Sequence, residues 1–61
     1  MYNQTTIKIG TKTALITTSE CEGEIQSTAI IFVGFGTSAE TALRSKTFKS
    51  EKAAIKWAQA Q

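Results

Sequence analysis

From residue 5 to residue 18 the apolar side chains fall mainly on alternate positions. Ile7, Ile9 and Leu15 take odd numbers, Ala14 and Ile16 even ones, with threonines, Lys8 and Lys12 between them. A spacing closer to two than to 3.6, in a stretch rich in β-branched residues, predicts a strand over 5–18. Gly10 interrupts it, either as a bulge or as the turn of a small hairpin. Ser19-Glu20-Cys21-Glu22-Gly23-Glu24 reads as a turn, because glycine supplies positive φ and three carboxylates in five residues favour water. With Glu22 and Gly23 at its centre, Leu15 sits opposite Ile30 and Thr13 opposite Phe32. The second strand then covers 25–33. Its last residues, Ile30-Ile31-Phe32-Val33, are apolar on both faces, the pattern of a central strand covered on both sides.

Gly34-Phe35-Gly36-Thr37-Ser38 ends that strand. Residues 38–45 admit either a short helix capped by Ser38 or the start of a third strand; the reading adopted is a loop and then a strand over 41–49. A helix is expected over 51–60. Ser50 suits its N-cap, Glu51 places negative charge at the positive end of the macrodipole, and no glycine or proline interrupts the chain beyond Glu51. Ala54, Trp57 and Ala58 share one helix face with Ile55 beside them, whereas Lys52, Lys56 and Gln59 share the other. The expected fold is α+β: one domain, 1–61, with a three-stranded antiparallel sheet packed against a C-terminal helix.

One helix of about ten residues covers only one face of such a sheet. The second strand turns Ile30 and Phe32 to one side and Ala29, Ile31 and Val33 to the other. An apolar face left open on so small a chain is an association site, so a homodimer or a dedicated protein partner is expected. Ala29, Ile31 and Val33 are assigned to that contact.

Composition narrows the chemistry. The 61 residues include no proline, histidine or aspartate and a single cysteine. Without histidine the usual general base and zinc ligand are missing, and Cys21 has no intrachain partner. Glutamates on both sides of Cys21 disfavour a thiolate. Glu20, Glu22 and Glu24 match no calcium-loop spacing and read as a solvated turn. Gly34-Phe35-Gly36-Thr37-Ser38-Ala39 fits the glycine-rich dinucleotide pattern, yet only 22 residues remain after it, too few for the βαβ units that pattern serves. No catalytic residue, metal ligand or small-molecule cofactor is therefore expected, and an enzyme is the poorest fit. The start of the sequence fits no signal peptide and the longest apolar run, Ala29 to Val33, is far short of a membrane span, which makes a cytoplasmic protein the default.

The net charge of +2 is unevenly spread. Residues 1–37 carry Lys8 and Lys12 against Glu20, Glu22 and Glu24; residues 38–61 carry Arg44, Lys46, Lys49, Lys52 and Lys56 against Glu40 and Glu51. Basic residues every two to four positions across a strand, a cap and a helix could form a phosphate-contacting stripe, with Arg44 free for base edges. They could equally be a solvated surface whose lysines protect an edge strand from aggregation.

The segment Arg44-Ser45-Lys46-Thr47-Phe48-Lys49-Ser50-Glu51-Lys52-Ala53-Ala54-Ile55-Lys56-Trp57-Ala58 resembles the junction of last strand and helix in the arm-type DNA-binding domain of tyrosine recombinases, the phage integrases. That resemblance covers about a quarter of the chain. It implies a three-stranded sheet that enters the major groove of double-stranded DNA, with Phe48 and Trp57 in the core and Arg44 and Lys46 on the DNA-facing strand. Two functions are then open. One is a small DNA-binding protein using Lys8, Lys12, Arg44, Lys46 and Lys49. The alternative is a small interaction or inhibitor protein, of the kind found on mobile elements, that docks an apolar sheet face.

Overall fold

A computed structural model describes residues 2–61. The fold is α+β, with an antiparallel sheet and one C-terminal helix, but the sheet has four strands rather than three. Strands β1 (Tyr2–Ile9), β2 (Lys12–Cys21), β3 (Glu24–Val33) and β4 (Thr41–Phe48) form a meander in the order β1-β2-β3-β4, and α1 (Glu51–Gln59) closes the chain.

The extra strand comes from Gly10. Its φ of 60° opens a two-residue turn with Thr11, and Ile9 pairs with Lys12 across it, so the stretch expected as one strand over 5–18 is a hairpin. The second turn behaves as expected. Glu22 and Gly23 both take positive φ (54° and 82°), the requirement of a tight type I′ hairpin, and the ladder pairs Leu15 with Ile30 and Thr13 with Phe32. The segment 34–40 is a loop, and β4 comes after it with a bulge where the register shifts between Ile31 and Phe32.

Register decides which side chains share a face. Ile7, Ala14, Ile31 and Arg44 lie in one cross-strand row, and Thr5, Ile16, Ala29 and Lys46 in the next. Along these rows α1 packs. Ala14, Ala29, Ala54 and Ala58 are fully buried, flanked by Ile16 and Ile31 at 1% exposure, with Ile7, Ile9, Phe48, Ile55 and Trp57 partly buried around them. The core is thus two isoleucines set among alanines, small enough to let the helix lie close to the sheet. Trp57 sits at its rim, its ring 5.9 Å from that of Phe48.

Polar contacts anchor the start of the helix. The Ser50 side chain accepts from the Ala53 amide at 3.2 Å, as an N-cap should. Glu51 Oε2 accepts from Thr18 Oγ1 at 3.0 Å and from Asn3 Nδ2 at 3.2 Å, tying the first turn to β1 and β2. Thr18 also meets the hydroxyl of Ser27, fully buried, at 2.8 Å. Thr18→Val is expected to lower stability by about 1–3 kcal/mol, because it strips a partner from a buried hydroxyl and from Glu51. Adding Ser27→Ala should recover part of that loss, as chemical denaturation of the single and double variants would show. Ser50→Ala should cost about 1 kcal/mol in the same measurement.

Candidate functional site: the open sheet face and the basic edge

Alternation in the ladder leaves a second face with no helix across it. β2 contributes Thr13, Leu15, Thr17 and Ser19, and β3 contributes Gln26, Thr28, Ile30 and Phe32. None of these eight carries a charge. Leu15, Ile30 and Phe32 are half-buried, and Phe35, in the loop after β3, stacks beside Phe32 with ring centroids 5.3 Å apart while staying 38% exposed. Around them stand hydroxyls, among them Thr28 and Thr47, whose Oγ1 atoms lie 3.1 Å apart across β3 and β4. Charge enters only toward the ends of this face, with Lys8 opposite Thr13 on β1 and Glu24 opposite Cys21 beside the hairpin tip.

This corrects the expected contact. Ala29 and Ile31, assigned to an open interface, lie beneath α1 at 0% and 1% exposure, and Val33 is half-buried on that same covered side. Such residues offer nothing to a partner while the helix is in place. The open face belongs to the other parity, Ile30 and Phe32 with Leu15. Site residues missing from the sequence reading are therefore Leu15, Ile30, Phe32 and Phe35. A signal for them existed in the alternation along the second strand.

The five basic candidates do not share a surface. Lys8 is exposed on the open face of the edge strand β1, while Lys12 points to the helix side, half-buried, in the row of Ile9 and Val33. Arg44 and Lys46 stand together on the helix side of the opposite edge strand, β4, in register with the buried Ile31 and Ala29. At a strand spacing of about 4.8 Å, Lys8 is separated from β4 by roughly 14 Å and by the thickness of the sheet. The bulge precedes Arg44, so it does not turn Arg44 and Lys46 away from Phe48. Arg44 Nη1 donates to Gln61 Oε1 at 3.0 Å, and Lys46 Nζ lies 5.5 Å from the Phe48 ring centroid, so both cations lean on the C-terminal part of the chain. Lys49 is exposed just past β4, close to Glu24 and Ile25.

The glycine-rich segment is spent on its own geometry. Gly34 and Gly36 take positive φ; Thr37 N–H and Oγ1 both donate to the Gly34 carbonyl; Gly36 N–H donates to Glu40 Oε1 at 3.0 Å. The next element is a strand rather than a helix, so the amides form no cradle at a helix N-terminus. A Cβ on Gly34 would come within 3.0 Å of the Ala39 carbonyl oxygen, which makes glycine a requirement of the loop.

Two shallow clefts lie near the hairpin tip. One, of about 130 Å³, is lined by Asn3, Thr18, Ser19, Glu20, Ile25 and Glu51, and the other, of about 230 Å³, by Glu24, Ile25 and Lys49. Both fall below the roughly 300 Å³ at which small-molecule sites begin. Among the described residues no helix is long and apolar enough to cross a membrane. No protein-family model, no curated protein and no solved structure matches the chain, so its geometry carries the functional reading alone.

Proposed function

We propose that this chain is a small non-enzymatic binding protein that docks a protein partner on the open face of its sheet. The observation that carries this reading is the uncharged central surface around Leu15, Ile30 and Phe32, with Phe35 exposed beside it. Depletion of charge with retention of aromatic and aliphatic groups is the composition of an interface centre. The flanking threonines present a methyl group and a hydroxyl each, which suits a surface that must be both soluble when free and dry when bound. Double-stranded DNA is the second reading, favoured by Arg44 and Lys46 standing side by side on one edge strand with Lys49 next in line. It ranks below the first because Lys8 and Lys12 lie elsewhere and Lys49 stands beside Glu24, which leaves Arg44 and Lys46 as the paired cations to neutralise phosphates.

Photo-crosslinking in the cells that make the protein separates the readings. A photoreactive residue at position 30 is expected to yield protein adducts, whereas the same residue at position 52, on the outer face of α1, yields none. Absence of any adduct from position 30, or nucleic-acid adducts from position 46 instead, would overturn the docking reading.

A further inference from the structure

We propose that the outer edge of β1 is the seam of a homodimer, in which the β1 strands of two copies pair antiparallel about a two-fold axis and join their sheets into one. The seam lies in the plane of the sheet, so it does not rest on the open face being a docking surface.

The two edges of the sheet are unlike. β4 carries the devices that keep an edge strand from pairing: a bulge, Arg44 and Lys46 along its length, and Lys49 just beyond it. β1 carries none of them. Its 8 residues run in unbroken register with β2, without proline or glycine, and Lys8 is the single charge. Tyr2-Asn3-Gln4-Thr5-Thr6-Ile7 is uncharged and rich in β-branched and aromatic side chains, the composition of segments that pair with their own copies.

Register fixes what this edge offers. Ile9 and Lys12 flank a two-residue turn and so form a hydrogen-bonded pair; alternation then turns the amides and carbonyls of Ile7, Thr5 and Asn3 toward β2. Those of Tyr2, Gln4, Thr6 and Lys8 point away from the sheet, and among the described residues no side chain or loop bonds to them.

Self-complementarity selects a second copy as the occupant. A two-fold antiparallel ladder forms only where outward residues face outward residues, and one register uses all of them: Tyr2 opposite Lys8 and Gln4 opposite Thr6, each pair made twice, with Thr5 facing Thr5 on the axis. A slip of two residues loses a pair, and a slip of one loses the ladder. In the full register unlike ends meet. Lys8 lies directly across from the partner's Tyr2 on the open side, within contact range of its ring, while the two Lys8 residues stand about 20 Å apart along the seam. Tyr2, 68% exposed in the single chain, gains cover there. Half-buried Ile7 gains the partner's Asn3 on the helix side. Association stops at two copies, because both outer edges of the joined sheet are then the protected β4.

Light scattering over a concentration series up to millimolar should show a monomer–dimer equilibrium. Thr6→Pro deletes an outward amide that no bond within the chain uses; it should stay folded by circular dichroism and dimerise at least tenfold more weakly. Tyr2→Lys, at the exposed end of the strand, sets like charges opposite each other and should weaken the dimer by a similar factor, whereas adding Lys8→Tyr exchanges the two ends and should recover most of the affinity. In a Cys21→Ser background, Thr5→Cys should give an intermolecular disulfide on mild oxidation, since residues facing each other in a non-hydrogen-bonded pair lie about 4.5 Å apart at Cα. Asn3→Cys, about 14 Å from its counterpart along the seam, should give none. A wild-type chain that stays monomeric at millimolar concentration would overturn the dimer, and leaves the docking reading to the crosslinks from position 30. Folded Thr6→Pro and Tyr2→Lys chains that dimerise like wild type would exclude β1 as the seam, as would a dimer lost only in Ile30→Lys. Crosslinking through Asn3→Cys as efficient as through Thr5→Cys would refute the register.

Discussion

Replacing Ile31 with lysine is expected to leave the chain without a folded state. Ile31 is 1% exposed, in the cross-strand row of Ala14, and is one of the two large side chains at the centre of the core. Loss of its packing alone is worth about 2–5 kcal/mol. The ammonium then has no buried carboxylate to meet, and its desolvation adds several kcal/mol more. A domain of this length holds about 3–9 kcal/mol in total. The combined loss exceeds that reserve. Far-ultraviolet circular dichroism should show a largely unfolded spectrum and no cooperative melt at 25 °C. Ile30→Lys, one residue away, is the matched control. Its side chain stands on the open face, and the lysine head can reach water past the threonines, so the cost should stay near 1 kcal/mol. A cooperative Ile31→Lys melt close to wild type, or an unfolded Ile30→Lys, would mean that the helix covers the other side of the sheet.

That pair of variants also marks where the sequence was legible and where it was not. Local chemistry carried the hairpin at Glu22-Gly23, its register, the loop before β4 and the capped helix, since each depends on a few adjacent residues. The choice of face depends on a longer chain of inference. Read as one strand, residues 5–18 align Ile7 and Ile9 with Thr13 and Leu15. The two-residue turn at Gly10-Thr11 inverts that parity, because paired positions then sum to an odd number: Ile7 pairs with Ala14 and Thr5 with Ile16. The row of Ile7, Ala14 and Ile31 is a core row only once that turn is in place.

Small residues held the remaining signal. Both faces of β3 are apolar at its end, so hydrophobicity alone does not select one. Alanine does. Ala14 and Ala29 on the sheet match Ala54 and Ala58 on the helix, and four small side chains converging on one face permit the close approach that Leu15, Ile30 and Phe32 would block. Phe48 gives the same answer by register, since a core residue at the end of β4 stands opposite Ser27 and therefore on the side of Ala29 and Ile31. For the basic residues, sequence distance misled. Lys8, Lys12, Arg44, Lys46 and Lys49 form a stripe only along the chain, and the meander distributes them over two faces and three strands, β1, β2 and β4, with Lys49 just past β4.

The same alanines carry the second large effect. Ala54→Leu combined with Ala58→Leu is expected to destabilise the domain by about 2–6 kcal/mol, taking about 1–3 kcal/mol for each overpacked site. Both positions have no exposed surface, and the buried sheet residues clustered with them are Ala14 and Ala29, which have no side chain to rotate away, and Ile16 and Ile31, already only 1% exposed. Leucine is nearly as good a helix former as alanine, so local propensity predicts almost no change. Any loss therefore reports the helix–sheet distance. Lys56→Leu, on the exposed side of α1, should leave stability within about 0.5 kcal/mol and control for added bulk on the helix. Urea unfolding distinguishes the outcomes: a lower midpoint at unchanged slope is expected for the double alanine variant. Should that variant match or exceed wild type, the helix must ride higher on the sheet than alanine-on-alanine packing allows, and the small-residue face would not be what seats it.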